Sequence, residues 1–278
     1  MDSIAQRGEF VRLSRAPDLD GLECLTARFE RHRYAPHIHE TFAIGVVTAG
    51  AEAFRVSGSQ QYATCGDVIA VNPEELHDGR AAEDSFTYRM LYPSTRLVRE
   101  VLASSTVGRS SCPRLAGPVI RDSVVADELV RAHSLLELGA PDLIAHAAVG
   151  RAIELLFSRH GERRAPGPRS RVVAPEVYDA RAFLDTHSES AVTLAALAGR
   201  VGMGRFQLLR AFRSAFGMTP HAYLTARRVD RAKRLIAAGN AVRDVAADAG
   251  FSDQSHLTRT FKAWTGMTPA LYRQAVRT

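Results

Sequence analysis

Cysteine is scarce in this chain, with three residues among 278, and its scarcity limits the sites that the protein can build. Cys24, Cys65 and Cys112 are odd in number and widely separated, and they lack the paired spacing of a zinc site. The chain also begins without an apolar leader, and no apolar run approaches the roughly 18 residues of a membrane helix. We therefore expect a reduced, cytoplasmic protein that is neither secreted nor embedded in a membrane.

Motifs of the common enzyme classes are missing as well. The chain contains no Gly-x-Ser-x-Gly nucleophile motif, no glycine-rich phosphate loop and no His-Glu-x-x-His zinc motif. Its cysteines have no neighbouring motif that would activate a thiol. These absences predict a protein that is not an enzyme and that needs no cofactor, with one candidate site for a divalent metal among its histidines as the exception.

Positive charge is concentrated in the second half of the chain. Residues 1–160 hold 17 Lys and Arg against 21 Asp and Glu, whereas residues 161–278 hold 19 against 9, so the net charge changes from −4 to +10. Only Lys233 and Lys262 are lysines, and the planar guanidinium of the remaining arginines suits bidentate contacts with phosphate and guanine. This asymmetry predicts that a polyanion binds the C-terminal half.

The length and a change of pattern along the chain predict two domains. In the first, residues 1–160, short apolar runs broken by glycine and proline turns predict a small β-barrel over about 20–92, and helical periodicity follows over about 94–160. The Gly-, Pro- and Arg-rich segment 161–174 is the expected linker, and a helical domain occupies 175–278. The fold class is therefore two-domain α+β, with an N-terminal barrel, accessory helices and an all-α C-terminal domain.

The C-terminal domain contains an internal repeat. Residues 208–223 recur as residues 257–272, in the pattern Leu-x-Arg-x-Phe followed by Arg or Lys, then Gly-Met-Thr-Pro and a tyrosine. Each copy consists of a short amphipathic helix, a turn at glycine and a second helix, which is the helix-turn-helix arrangement. Two copies are too few for a solenoid. Together with the basic charge, the tandem motif predicts DNA binding.

The second helix of each motif presents a polar and basic stripe on the face opposite its apolar residues. The spacing i, i+3, i+4, i+7 places the two stripes at matching positions. They consist of Phe206, Leu209, Arg210 and Arg213 in the first copy and of Ser255, Thr258, Arg259 and Lys262 in the second. In this motif the exposed N-terminal part of the second helix contacts base edges in the major groove. A solvated face that binds protein remains the alternative interpretation.

The C-terminal domain resembles that of the AraC/XylS family of transcription regulators. The sequence Gly-Phe-Ser-Asp-Gln-Ser-His-Leu-x-Arg-x-Phe-Lys at 250–262, followed by Thr-Pro-x-x-Tyr-Arg at 268–273, carries the resemblance, which extends over 175–278. It implies seven helices, double-stranded promoter DNA as the ligand and RNA polymerase as a candidate partner. Carried over by position, it implies base contacts from Arg205, Phe206, Leu209, Arg210, Gln254, Ser255, His256 and Arg259.

Two positions depart from the family pattern. Gly204 stands where the family usually has a capping serine, which costs a few tenths of a kcal/mol. Leu209 stands where a polar side chain is common, so the first recognition helix is expected to contact a thymine methyl group or to contribute less specificity.

Three histidines form a second group, in the predicted barrel. His37 and His39 share one face of a strand because they are two residues apart, and His77 follows a later apolar strand. Three imidazoles arranged in this way could hold a divalent metal. The layout resembles the cupin barrel in its AraC-type ligand-binding form, over about 20–92. Metal-binding cupins usually add a carboxylate four or five residues after the second histidine, where this chain has apolar residues.

Three interpretations of these histidines stay open: contact with an effector, which we favour, binding of a divalent metal, and structural hydrogen bonding. Tyr88 and Arg89 lie on a later predicted strand and in opposite phases, so only one of them should point into the barrel. An inward Arg89 would favour an anionic effector. The predicted effector site is His37, His39, His77, Tyr88 and Arg89.

These features together predict a sequence-specific transcription regulator that responds to a small-molecule effector. The amphipathic stretches 124–138 and 143–157 predict a homodimer, or alternatively helices that only cover the barrel. The competing hypothesis is a metal-dependent cupin enzyme fused to a DNA-binding module. A constitutive regulator without an effector is the third.

Overall fold

The computed structural model of the chain describes residues 8–103, 113–162 and 174–276. The chain forms two compact units: the described residues 8–33, 39–103 and 113–162 belong to the first, and 174–276, with the short segment Tyr34–Ile38, belong to the second. The predicted linker 161–174 lies almost entirely outside the described residues, as does Cys112. The first unit combines an antiparallel sheet with helices, and the second is helical, which confirms the predicted fold class.

The strands of the first unit form one antiparallel sheet. They are β1 (Phe10–Ala16), β2 (Leu22–Phe29), β3 (Arg33–His37), β4 (Ala43–Val56), β5 (Ser59–Thr64), β6 (Val68–Val71), β7 (His77–Tyr92) and β8 (Val119–Ile120). Their order is β1-β2-β7-β4-β6-β8, with β3 paired to β7 and β5 paired to β4. The sheet thus begins ahead of the segment 20–92, because β1 pairs along its whole length with β2.

The two longest strands, β4 and β7, pair irregularly at two places. Their register shifts between Val47 and Ala49 and again between Gly50 and Glu52. Gly50 has a φ of +70°, and a Cβ at this position would collide with the carbonyl oxygen of Ser85 on β7. Such bulges kink a strand and increase its twist, which lets one sheet wrap around an interior.

Helices cover one face of this sheet. They are α1 (Thr95–Ala103), α2 (Ser123–Glu137) and α3 (Asp142–His160). Ile44 and Val46 on β4 and Leu91 on β7 belong to the same buried cluster as apolar residues of all three helices. Since successive residues of a strand point to opposite faces, the residues between them lie on the other face, which we call the inner face.

The second unit contains seven helices within residues 174–276, as the family resemblance implied. They are α4 (Pro175–Thr186), α5 (Leu194–Arg200), α6 (Arg205–Phe216), α7 (Pro220–Ala237), α8 (Val242–Asp248), α9 (Gln254–Thr265) and α10 (Pro269–Val276). Among all the described helices of the chain, none is long and apolar enough to cross a membrane.

Threonine caps and glycine turns place these helices where the sequence predicts them. The Thr193 hydroxyl accepts a hydrogen bond from the Ala196 amide at 3.1 Å, and Thr219 accepts one from Ala222 at 3.2 Å. Each cap satisfies an amide that the first turn of a helix would otherwise leave unbonded.

Candidate functional sites

The first helix-turn-helix motif consists of α5, a turn at Gly202 and α6. Gly202 adopts a φ of +68°, which glycine reaches without the steric cost of a side chain. On α6, Leu208 and Phe212 are fully buried against the rest of the unit. Their burial fixes which face of α6 remains in contact with solvent.

The outward face of α6 carries the side chains that the repeat predicted there. Arg205, Arg210 and Arg213 are exposed, and Leu209 is half-buried. Phe206 is 70% exposed, which is unusual for an aromatic side chain and places an apolar group among three cations. The face can therefore make both ionic and apolar contacts with one ligand.

The second motif repeats this arrangement with α8, a turn at Gly250 and α9. Gln254 and Ser255 are exposed at the start of α9, Arg259 and Lys262 are exposed further along it, and Thr258 is half-buried. The chain therefore has two recognition helices with equivalent outward faces, one mainly arginine and phenylalanine, the other richer in amide and hydroxyl groups.

A local network orders the start of α9. The Asp253 carboxylate accepts a hydrogen bond from the His256 amide at 2.7 Å, and this bond, with one from the Ser252 hydroxyl, lowers the pKa of Asp253. The His256 ring is in turn held by the Ser252 hydroxyl at 3.1 Å and by the edge of Phe251. His256, predicted as a base contact, is therefore oriented by its neighbours in the same turn.

Two arginines of α7 tie the two motifs together, a role that sequence analysis missed. Arg228 donates from Nε to the Ser188 carbonyl at 2.8 Å and from Nη2 to the Ser190 carbonyl at 2.9 Å, in the loop before α5. Arg231 donates to the Asp248 carbonyl, at the end of α8, at 2.7 Å. By residue type alone, an arginine in a basic domain gives no signal that distinguishes these ties from DNA contacts.

Gly250 brings the second motif against the same loop. Its φ is +84°, and a Cβ there would lie 2.7 Å from the Ser188 carbonyl oxygen and 2.8 Å from the Glu189 Cα. A side chain would thus meet backbone atoms that cannot move aside easily. Glycine is required both for the turn and for this close approach.

A buried ionic network anchors α4 to α7. Arg227 is only 6% exposed, and its Nε donates to the Asp185 carboxylate at 2.8 Å while its Nη2 donates to the Tyr223 hydroxyl at 2.7 Å. Arg181 on α4 also donates to that hydroxyl, at 2.9 Å. Arg227 and Arg181 therefore serve the structure of the domain.

In the first unit, the structure brings two of the predicted histidines, His39 and His77, together, whereas His37 belongs to the segment Tyr34–Ile38 that groups with the second unit. Nε2 of His39 lies 3.0 Å from Nε2 of His77. Nδ1 of His37 donates to the Ala35 carbonyl at 2.7 Å, and Nδ1 of His77 donates to the Glu75 carbonyl at 2.9 Å. These bonds fix the tautomer of both rings, and burial lowers the pKa of His77, so its Nε2 is a lone-pair acceptor.

Tyr88 lies on the inner face, in an aromatic cluster. It is 3% exposed, and its ring centroid lies 5.2 Å from that of Phe86 and 6.1 Å from that of Phe29. The three rings give the interior an apolar wall.

Arg89 points to the opposite side of β7 and is thereby removed from the predicted effector site. Its Nη1 donates to Glu137 at 2.8 Å and to Ser134 at 3.2 Å, both on α2, and lies 3.2 Å from Nδ1 of His133. Burial, followed by the nearby Arg89 cation, lowers the pKa of His133 to about 4. Strand alternation turns Arg89 away from Tyr88, so it joins the sheet to a helix.

One acidic residue of the inner face was not predicted. Glu52 on β4 is 6% exposed, and burial, with a smaller effect of Asp78, raises its pKa to about 8. A charged residue inside the otherwise small and apolar run Ala51–Phe54 was the signal in the sequence. Buried carboxyl groups without a counter-charge are rare enough to warrant a functional explanation.

Comparison with known families decides the identity of the two units. The model of the AraC-like ligand binding domain matches residues 21–155, and that of a helix-turn-helix domain matches residues 197–275. The chain belongs to the AraC family of transcription regulators. It combines a ligand-binding domain with a helix-turn-helix DNA-binding domain, as the sequence resemblance predicted.

Individual AraC-family proteins align with most of the chain. The HTH-type transcriptional regulator YbfI of Bacillus subtilis (strain 168) is 26% identical over 81% of this chain and 82% of its own length. The HTH-type transcriptional activator RhaR of Cronobacter sakazakii is 23% identical over 89% of both. These relatives are transcription regulators, in agreement with the lack of enzyme motifs.

A solved structure has the same fold. Wild-type ToxT from Vibrio cholerae strain SCE256 superposes with a TM-score of 0.56, covering 96% of this chain and 95% of ToxT at 10% sequence identity. At this identity the likeness concerns the fold, and it confirms an N-terminal sheet domain followed by a helical domain.

Proposed function

We propose that α6 and α9 bind successive major-groove segments of double-stranded promoter DNA. The observation that carries this proposal is that both helices expose the same face, at equivalent positions of a duplicated motif, in the half of the chain with net charge +10. The DNA-contacting residues proposed are Arg205, Phe206, Leu209, Arg210, Arg213, Gln254, Ser255, His256, Thr258, Arg259 and Lys262.

The chemistry of each face suggests what it recognises. Arg210 and Arg259 occupy the same position of the repeat, and arginine forms bidentate contacts with guanine or ion pairs with phosphate. Phe206 and Leu209 offer apolar surface to thymine methyl groups, and Gln254 can contact adenine through its amide. The two half-sites should therefore differ in base composition.

Replacement of Arg259 by alanine tests this assignment. On a duplex that the full-length protein selects from a randomised library, fluorescence anisotropy should show a loss of about 1–3 kcal/mol and relaxed preference at one base pair if Arg259 contacts a base. If it contacts only phosphate, binding should weaken on all duplexes and the salt slope should fall by about one unit. Unchanged affinity contradicts both, and Arg234→Ala, an exposed arginine of α7, is the matched control.

We infer that the inner face of the first unit binds a small-molecule effector, with contacts from His37, His39, His77 and Tyr88. The match to a ligand-binding domain and the contact between the His39 and His77 rings support this assignment. ToxT, which shares the fold, has been solved with an unsaturated fatty acid bound. Arg89 is left out because its guanidinium is engaged by α2.

A divalent metal is the second candidate ligand of the histidines. Two zinc–nitrogen bonds of about 2.0–2.1 Å place the ligand nitrogens at most about 4 Å apart, and the Nε2 atoms of His39 and His77 meet this limit at 3.0 Å. His37 and His77 already donate Nδ1 to a carbonyl, as metal-ligating histidines commonly do. A bound ion would orient an effector oxygen or nitrogen. Metal analysis of purified protein and of a His39→Ala variant tests this: stoichiometric metal lost in the variant supports the site, and metal-free wild type contradicts it.

We also propose that the regulator is a cytoplasmic homodimer that acts with RNA polymerase and has no enzymatic activity. Exposed apolar side chains support the dimer, since Leu138 and Leu143 are 82% and 83% exposed and Ile144 is 50% exposed, near the turn between α2 and α3. Sedimentation that shows only monomer at micromolar concentration, with and without DNA, would contradict the dimer.

Burial of Cys24, which raises its pKa to about 12, leaves it without a reactive thiolate.

A further inference from the structure

The side chain of Glu52 projects from the inner face of the sheet. Its neighbour Ala53 pairs with Tyr62 on β5 and with Arg80 on β7, and both of these partners are exposed on the outside. Because side chains alternate along a strand, Glu52 points the other way. Gly50, two residues before Glu52, pairs with Phe86 on β7, and the pairing of the two strands is irregular between these positions.

The surroundings of Glu52 leave its carboxyl group without compensation. Its cross-strand partners are Ala63 on β5 and Ala81 on β7, which carry no polar side-chain atom. In the part of the chain that the structure describes, no hydrogen bond or ion pair engages this carboxyl group. Arg55, the nearest basic residue along the strand, is exposed on the other face. A buried carboxyl group in this state is costly for a protein unless a ligand supplies the missing partner.

The other side chains of the inner face indicate which chemical groups such a ligand should carry. Phe29, Phe86 and Tyr88 form a nearly fully buried aromatic cluster, whose faces attract cations as well as apolar groups. The basic side chains of the adjoining strand segments, Arg80 and Arg89, point away from the interior. An anionic ligand would meet one carboxyl group and no arginine there.

Resting on the proposed effector-binding function, we propose that the effector is a small cationic amine whose ammonium group ion-pairs with Glu52 while its apolar part packs against the aromatic cluster. The amine provides the donor and the positive charge that the cross-strand neighbours of Glu52, Ala63 and Ala81, lack. An anionic effector is thereby disfavoured, and so is the acidic class that an inward Arg89 would have accepted.

Matched ligands test the charge requirement. The full-length protein is examined by thermal shift and titration calorimetry with three sets of compounds, built on phenyl, cyclohexyl and indole skeletons, each set containing an ethylamine, an ethanol and an acetate. At least one amine should raise the melting temperature by several degrees, its alcohol should bind at least tenfold more weakly, and its acetate should not bind. Acetates that bind as well as the amines, or no binding by any amine, would overturn the inference.

Variants test the residue. Glu52→Gln keeps the side-chain volume and should weaken amine binding at least tenfold, whereas Glu83→Gln, an exposed glutamate of β7, should leave it unchanged. Amine binding that survives in Glu52→Gln, with circular dichroism confirming the fold, would overturn the assignment. Binding to the selected DNA duplex is measured on the same samples without amine. Intact DNA binding with no amine response rejects this inference alone, whereas loss of DNA binding in the wild type rejects the regulator itself.

Discussion

Replacing Glu52 with glutamine should change how the stability of the first unit depends on pH. Burial raises the pKa of Glu52 from 4.5 to about 8 in the folded protein, with a further contribution from the negative charge of Asp78. Between these pH values the folded state holds a proton that the unfolded state has released. The free energy of unfolding of the wild type should therefore fall as the pH rises through this range, whereas glutamine does not titrate.

The size of the effect follows from the same shift. Each pH unit between 4.5 and 8 costs the wild type about 1.4 kcal/mol relative to the variant, so the difference approaches about 5 kcal/mol over the whole range. Below pH 4.5 both states are protonated and the charge penalty is absent. Above pH 8 both are ionised and the penalty is complete. Histidines and other acids titrate in both proteins and cancel in the difference.

Urea unfolding at pH 5, 6, 7 and 8, followed by far-UV circular dichroism, measures this difference. Trp264 is the only tryptophan and belongs to α9, so its fluorescence identifies the transition of the helical unit and separates it from that of the sheet. The exposed Glu83→Gln variant should follow the wild type at each pH. Parallel curves for wild type and Glu52→Gln between pH 5 and 8 would refute the claim that Glu52 is buried without a counter-charge.

Three further substitutions have defined outcomes. Asp185→Ala should destabilise the helical unit by about 2–3 kcal/mol, because it leaves the buried Arg227 without its carboxylate partner. The side chain of Asp185 is 37% exposed, which keeps this cost below that of a fully buried pair. Urea unfolding followed by tryptophan fluorescence measures the change, and an effect under about 0.5 kcal/mol would contradict the network. Gly250→Ala should cost about 1–3 kcal/mol in the same assay, since it combines a positive φ with a backbone clash, and a neutral result would refute the close packing. Leu138→Glu combined with Leu143→Glu should shift sedimentation from dimer to monomer without loss of melting temperature, and a dimer that persists would locate the interface elsewhere.

The sequence predicted the helical domain well because its signals are local. Two helix starts carry threonine caps, Thr193 and Thr219, and the buried positions Leu208 and Phe212 follow from helical periodicity alone. A repeat doubles this information, since the second copy must fold in the same way. The family resemblance covers the same residues.

What the sequence did not reveal depends on contacts between distant segments. Arg228 resembles a DNA contact by type and location, and only the fold shows that it bonds the loop before α5. Arg89 and Tyr88 alternate on β7, but which of them faces the interior depends on where α2 packs. Two register shifts in the pairing of β4 with β7 precede Glu52, and local residue types do not determine such irregularities.

The spacing of the two half-sites tests the central claim most directly. If α6 and α9 are held in one unit by Arg228, Arg231 and Gly250, they should contact DNA segments about one helical turn apart and should tolerate no change in that distance. Inserting either 5 or 10 base pairs between the half-sites of the selected duplex should lower the affinity of the full-length protein at least about tenfold, to that of a single half-site. Full affinity with either insertion would contradict the account.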